Sequence, residues 1–369
     1  MPSYYYLEVS DAFGNKLAHL DSFIILTYAR TVNTFGTLSF DLDPDFDRSI
    51  FTLDGRIKIM RQLDNDSLPV LEMDTIWLYR DYRIAMTETG LRHLRVVAVA
   101  SQELLTRRII PFYAGSSQAS KSMEADDMMK EIVDENLGTA ASASRTMSQF
   151  LDIERDFSFA PSVSKAFSRR QVYTVLQEIA DLSKQKGTPL YFDIVANESS
   201  KLLFKTYIGQ RGIDRTLSSL WPLVLSPEMG TISHGQYEED YRDEVNYVYA
   251  AGEGEGITRE VEEASDDARI GLSPLNRREA LYDGRQGASA VRLQEEAETA
   301  VLEGRPKRIF TGRIAQTPQV KYGLHWNWGD RVTVQFEGQT FNCEISSVGV
   351  HIYEGEETIT ANLIAEEPL

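Results

Sequence analysis

The sequence predicts a mixed, β-rich α+β protein in which two β regions flank an α/β insertion. Three observations carry that expectation. Short runs of alternating apolar and polar residues, broken by turn signals, fill both ends of the chain. Between them, apolar residues recur instead at helical spacing. Aromatic usage leans to Tyr and Phe, 17 and 16 against 4 Trp, which suits half-buried pleated surfaces.

The clearest early strand is 36–43, where Leu38, Phe40 and Leu42 alternate with Thr37, Ser39 and Asp41. Leu53-Asp54-Gly55 reads as a turn, and Arg56-Ile57-Lys58-Ile59 alternates after it. Segments 70–79 and 91–99 read as further strands, and several short strands with such turns suggest a small barrel or sandwich. From Ser120 the period becomes helical: Met128, Met129, Ile132, Val133 and Leu137 share one face. Ser122 is placed as its N-cap, with Glu124, Asp126 and Asp127 in the first turn and Gly138 just past the end. A second helix over 170–186 carries the stripe Val172, Val175, Leu176, Ile179 and Ala180, stopped by Gly187 and Pro189. Strands are expected at 189–195 and 201–207. Residues 139–149, rich in Ala, Ser and Thr, read as a mobile loop. After about 240 the chain returns to β, with a strand at 245–251. A third helix over 288–303 sets Ala290, Leu293, Ala297, Ala300 and Val301 on one face, and Gly304 and Pro306 end it. The best hairpin comes last. Val332, Val334 and Phe336 lead to a turn at Glu337-Gly338-Gln339, and Phe341, Cys343 and Ile345 return.

Bulk properties exclude several classes. At about 150 residues per domain, 369 residues suggest two or three domains. Lys and Arg number 38 and Asp and Glu 56, a net charge of -18, the opposite sign to a general nucleic-acid binder. An acidic surface suits solubility, or a wall that DNA slides past. Cys343 is the single cysteine, so neither an internal disulfide nor a multi-thiolate zinc site is available. It belongs to an inward-facing series and reads as a small core residue. The start Met-Pro-Ser-Tyr-Tyr-Tyr has no secretory character, and no run approaches a membrane span. A soluble chain made in a cytoplasm is expected.

Chemistry-bearing patterns are sparse. His19, His93, His234, His325 and His351 are scattered, without the spacing of a zinc protease. No Gly-x-Ser-x-Gly elbow exists. The Gly-rich loop Ala251-Gly252-Glu253-Gly254-Glu255-Gly256 lacks a following Lys-Ser/Thr. It also puts two carboxylates where a phosphate must approach, so it reads as a turn. Tyr237-Glu238-Glu239-Asp240 and 260–267 are acidic, but adjacency does not supply the separation that paired catalytic carboxylates need. His234, Glu238 and Asp240 are candidate divalent-ion ligands, against the default of a solvated acidic face. Trp326 and Trp328 flank Asn327; sugar stacking competes there with core packing or a subunit contact. No catalytic, cofactor or metal residue is assigned.

One echo stands out. Asp54-Gly55-Arg56-Ile57-Lys58-Ile59 and Gly329-Asp330-Arg331-Val332-Thr333-Val334 both pair Gly with Asp, then run through Arg into an alternating strand. Six residues do not decide between coincidence and a repeat; a repeat would mean two related β domains separated by an insertion.

The order of four motifs resembles siphophage tail-tip hub proteins, the group that includes the N-terminal part of tail-associated lysins. The first is Asn33-x-x-Gly36-x-Leu38-x-Phe40-x-Leu42. The second is His93-Leu94-Arg95-Val96-Val97-Ala98 followed by Leu104-Leu105-Thr106-Arg107-Arg108. The third is Asn246-x-Val248-Tyr249-x-x-Gly252-x-Gly254-x-Gly256, then Arg259 and Arg277-Arg278-Glu279. The last is Tyr322-Gly323-x-x-Trp326-x-x-Gly329-Asp330-x-Val332. The resemblance spans about 30–365. It implies two tube-like β-barrel domains, 1–105 and 236–369, around an α/β insertion at 106–235, with a helical insertion near 257–310 in the second. It implies a homotrimeric ring in the virion tail tip. Its partners would be a distal tail or tail tube protein, a tape-measure protein and tail-tip or fibre proteins, with DNA passing through unspecifically. Gly36, Asp54, Gly55, Gly252, Gly254, Gly256, Trp326, Gly329 and Asp330 would be structural turn and strand positions. Neither cofactor nor catalytic residue is implied, and the end at Leu369 is expected to leave no wall-degrading domain. Two other readings stand beside it: a tail-associated cell-wall hydrolase using the carboxylates near 237–240, and a carbohydrate-binding tail module using Trp326 and Trp328.

Overall fold

The computed structural model of the chain describes residues 3–63, 67–86, 90, 92–111, 119–167, 169–197, 201–252, 254, 256–283 and 290–368. Its architecture is β-rich α+β, in two compact units. The first comprises residues 1–234 and 312–363, the second 235–311 and 364–369.

In the first unit the N-terminal strands are β1 (Tyr4–Ser10), β2 (Lys16–Leu20), β3 (Ile25–Thr31), β4 (Thr37–Leu42), β5 (Arg56–Gln62), β6 (Val70–Met86) and β7 (Arg92–Ala100). The α/β segment follows as β8 (Ala119–Glu124), α1 (Ala125–Leu137), β9 (Leu151–Ile153), β10 (Ser162–Phe167), α2 (Val172–Gln185), β11 (Leu190–Ala196) and β12 (Leu202–Ile208). Then come the short β13 (Asp214–Arg215) and β14 (Val224–Leu225). The chain crosses to the second unit within β15 (Ile232–Asp240). That unit holds β16 (Tyr247–Ala251), β17 (Val261–Ser265), α3 (Asp267–Ile270), β18 (Glu279–Asp283) and α4 (Ala290–Glu303). The return runs through β19 (Lys307–Ile314), and β20 (Arg331–Phe336), β21 (Gln339–Tyr353) and β22 (Glu356–Pro368) close the chain.

Strands β21, β3, β4, β7, β6, β5, β1 and β2 lie side by side in that order, so the C-terminal hairpin shares a sheet with the N-terminal strands. The alternation read in 36–43 is real: Leu38, Phe40 and Leu42 are buried. Strand β6 outruns its expected end by seven residues, Arg80 to Met86, because it continues pairing with β7 as far as Met86 opposite Arg92. Among the described residues the strand pairings run as an open path rather than as closed barrels.

The α/β segment packs α1 and α2 with β11 and β12. Met128, Met129, Ile132, Val133, Val175, Leu176 and Ile179 join Phe192 and Phe204 in one core. That core also contains Ile76, Leu78, Leu104 and Leu105, so the segment is fused to the β scaffold rather than appended to it. The helix expected from Ser120 starts only at Ala125. Residues 119–124 form a strand against β10, and the Ser122 hydroxyl meets Ser164 at 2.8 Å instead of capping. The helix cap is Glu124, with no side-chain cap bond, and Gly138 ends the helix. Asp126 and Asp127 do stand in the first turn. They are buried there because they accept backbone N–H groups from Ala160, Phe157 and Ser158. The loop expected to be mobile is tied down: Met147 N–H bonds Leu137 O, Thr146 bonds Gly138 O, and Arg145 bonds Asn136 and Ile109.

The second unit lays α4 on one face of the sheet β17–β16–β18, with Leu293, Ala297 and Val301 against Val248 and Ala250. The start expected for this helix at 288 lies outside the described residues, as does the Ala290 side chain. No described helix is long and apolar enough to cross a membrane.

Candidate functional site

The echoed segments adopt the same turn. Gly55 N–H bonds Thr52 O at 2.8 Å and Asp330 N–H bonds Asn327 O at 3.2 Å. The residue before each donor is left-handed, Asp54 at φ 59° and Gly329 at φ 81°. Gly and Asp have exchanged places between the copies because Asp tolerates that region nearly as glycine does. Both turns hand the chain to the next hairpin identically: Tyr79 N–H bonds Gly55 O, and Ile345 N–H bonds Asp330 O. The strands that follow bury Ile57 and Ile59 in one copy, Val332 and Val334 in the other. Trp77 and Cys343 then occupy equivalent buried positions opposite Ile57 and Val332, so Cys343 is a core residue. The Glu337-Gly338 turn of the second hairpin has positive φ at both residues, the two-residue geometry that fits strand twist. Glu354-Gly355 repeats it between β21 and β22; the sequence reading missed this turn although the Glu-Gly pair was visible.

The Asp at each turn anchors an arginine. Asp54 accepts from Arg80 at 2.7 Å and Arg107 at 2.9 Å, and Glu103 shares both cations. Asp330, 1% exposed, accepts from Ile213 N–H, Arg215 Nε and Asn327 N–H at 2.7–2.9 Å. It thus holds β13 to β20, a role no local pattern announces.

Trp326 and Trp328 are both buried. Trp326 packs tilted against Tyr322 with ring centres 5.0 Å apart. The guanidinium groups of Arg30 and Arg211 each lie 4.5 Å from the centre of the Trp328 ring. Asp193 binds both cations at 3.0 Å, and Arg30 also reaches Thr75 and Gln102. Burial pulls the Arg30 guanidinium pKa down, and the Asp193 carboxylate opposes that shift. Neither ring offers an open face for a sugar. Gly36 belongs to this cluster: a Cβ there would lie 2.1 Å from Ala29 O and 2.5 Å from Arg30 Cδ. Asn33, three residues earlier, bonds Leu190 O and Phe192 N–H through its amide and receives Tyr173 OH on its carbonyl. The motif Asn33-x-x-Gly36 is therefore where the α/β segment docks on the scaffold.

In the second unit the Gly-rich loop is tied rather than open. Gly252 N–H bonds Glu260 O, and Arg259 reaches Gly252 O and Ala251 O at 3.0 and 3.3 Å. A Cβ on Gly252 would strike Leu293 at 2.8 Å; Gly254 and Gly256 have φ of 102° and 59°. Carbonyls face a cation here, the reverse of a phosphate cradle. Glu253 and Glu255 lie outside the described residues. Asn246, 1% exposed, clips Asn276 O and the Arg278 backbone. The acidic run is likewise neutralised: Arg242 binds Glu238 and Asp240, whose carboxyl its hydrogen bonds hold down at about 2, while Tyr237 and Tyr241 donate to Glu239. A catalytic acid needs the opposite shift. Among the described residues no three His, Cys, Asp or Glu side chains converge as for a metal ion, and that holds for His234, Glu238 and Asp240.

Similarity to known proteins was found at two levels. The profile of a family described as Siphovirus ReqiPepy6 Gp37-like protein matches residues 71–363. The fold is similar to the tail protein from Neisseria meningitidis MC58, at 14% identity and a TM-score of 0.54 over 100% of this chain and 97% of that one. It is also similar to the 43 kDa tail protein of prophage MuSo2 from Shewanella oneidensis, at 10% identity and 0.52 over 97% of both chains. Prophage tail protein gp18 from Listeria monocytogenes gives 10% identity and 0.51 over 98% and 94%. No curated protein matches the sequence.

Proposed function

This chain belongs to the siphovirus ReqiPepy6 Gp37-like family, and we propose that it is a phage tail structural protein, a hub subunit of the tail tip. Three copies form a ring that joins the tail tube or distal tail ring to the tip and leaves DNA a passage. Residues 1–105 and 236–369 act as two tube-like domains whose β strands, open in the single chain, become barrel walls within the ring, with 106–235 as the α/β insertion between them.

The observation that carries this reading is the repeated turn, strand and hairpin at 52–86 and 327–353. Two similar turn-and-hairpin segments per chain let three chains present six similar positions to a sixfold tube and three to a threefold tip. The buried Trp326 and Asp330, the paired Asp54 and the tied Gly-rich loop support a structural role without catalysis. The net charge of -18 supports a channel that does not hold DNA. Distal tail, tape-measure and tip or fibre proteins are the proposed neighbours in the virion, after synthesis in the host cytoplasm.

Native mass spectrometry tests the reading. A species at three times the 41.7 kDa chain mass is expected, and a strict monomer at high concentration, alone and with a distal tail protein, would count against it. Peptidoglycan release by the purified protein, lost on Glu238→Gln, would favour the hydrolase instead.

A further inference from the structure

The repeat exposes an edge that one copy covers and the other leaves open. Strand β6 carries a bulge between Tyr79 and Asp81, and beyond it residues 81–86 pair with β7 on one side. On the other side β5 pairs only as far as Leu78, with one further bond from Tyr79. Among the described residues no strand lies along that side of 81–86.

In the second copy the matching strand is β21. Its pairing with β20 ends at Ile345, the equivalent of Tyr79, and from Ser346 onward β3 takes over. Val348, Val350 and Ile352 of β21 lie opposite Arg30, Tyr28 and Leu26 of β3 and are 0, 1 and 7% exposed. Their equivalents in β6 are Tyr82, Ile84 and Met86, all apolar in body, yet 42, 48 and 70% exposed. The Arg48 guanidinium lies over the Tyr82 ring. An exposed strand edge with an apolar series is an association site unless it is guarded, and the same chain supplies the guarding strand at the equivalent place.

We propose that the open edge of β6 at Tyr82, Ile84 and Met86 is an interface with a second copy of this chain, which adds a strand there as β3 does along β21. The inference rests on the assembly reading above and names the edge through which copies join. The contact is heterologous, since the donated strand and the β6 edge are different surfaces, and such a contact closes into a ring when the rotation permits. The Val32 to Ser346 bond gives the parity of the β3 side of β21 and, by equivalence, turns the backbone of Ile84 toward the open side of β6. A proline at 84 therefore removes an edge donor and spares the bonds to β7.

The test compares the full chain with Ile84→Pro and Ile84→Lys by native mass spectrometry and sedimentation over a concentration series. Circular dichroism checks that each variant is folded. The wild type is expected to associate. Both variants are expected to weaken association by about tenfold or more at an unchanged melting temperature. Peptides covering 80–86 should exchange amide hydrogen more slowly in assembled wild type than in dilute protein. If Ile84→Pro does not fold, Ile84→Lys with the exchange measurement decides. Wild type and variants that associate equally would overturn the edge while leaving the assembly reading intact. A wild type that stays monomeric throughout would overturn both.

Discussion

Asp193 shows how much one side chain settles. It binds both Arg30 and Arg211, whose guanidinium groups also lie against the Trp328 ring. Removing it leaves two guanidinium groups in a dry site, and breaking such a set costs about 3–5 kcal/mol. Asp193→Asn is therefore expected to lower unfolding stability by that order in urea melts, with the α/β segment losing amide protection first. Gly36→Ala acts on the same cluster from the other side. Its Cβ would sit 2.1 Å from Ala29 O, a backbone atom that cannot step aside, so a loss of about 3 kcal/mol is expected. Gly338→Ala has open space and only a left-handed φ of 75° to contend with, so about 1 kcal/mol is expected from the same measurement. A similar loss from both glycines would mean that the close packing around Arg30 is not what demands Gly36.

At the level of elements, β21 carries a titrating contact with the α/β segment. Glu344 faces Tyr191 of β11, Lys184 of α2 and its cross-strand partner Arg331. Burial pushes its carboxyl up to about 7, although the Tyr191 hydrogen bond and the two cations pull it down. A raised folded-state value means that the folded protein holds the proton more tightly than the unfolded chain. Stability from this group is thus complete below the usual carboxylate range and is lost as pH rises toward and through 7. Glu344→Gln keeps the acceptor and removes the charge. It should flatten the fall in melting temperature between pH 5 and pH 8; an unchanged slope would show that Glu344 does not titrate there. Asp240, held low by Arg242, contributes to the acid limb instead, between its usual range and about 2.

For the whole molecule, the net charge of -18 opposes any association of copies. Moving from about 0.01 M to about 0.15 M salt shortens the screening length from about 30 Å to about 8 Å. Association through an apolar strand edge should then strengthen with salt in sedimentation velocity. Weakening would indicate that complementary charges hold the copies together. At this scale too, Trp328→Ala should cost stability, about 3–5 kcal/mol for a large buried ring, and leave glycan-array signals unchanged at background.

The sequence by itself determined the β-rich α+β class, the two helices of the α/β segment, the final hairpin and the family. These depend on periodicities of two and 3.6 residues, on turn chemistry and on motif order, all local in the chain. It also held the repeat in six residues, since a left-handed turn position admits only a few residue types. What it could not place were Asp193, Asn33 and Asp330 as anchors, the strand at 119–124 where a helix start was expected, and the bare edge of β6. Those depend on partners more than 30 residues away, such as Arg30 for Asp193 and Ile213 for Asp330. Tyr82, Ile84 and Met86 alternate as Val348, Val350 and Ile352 do; the tertiary structure alone decides that, among the described residues, β3 covers one series and no strand covers the other.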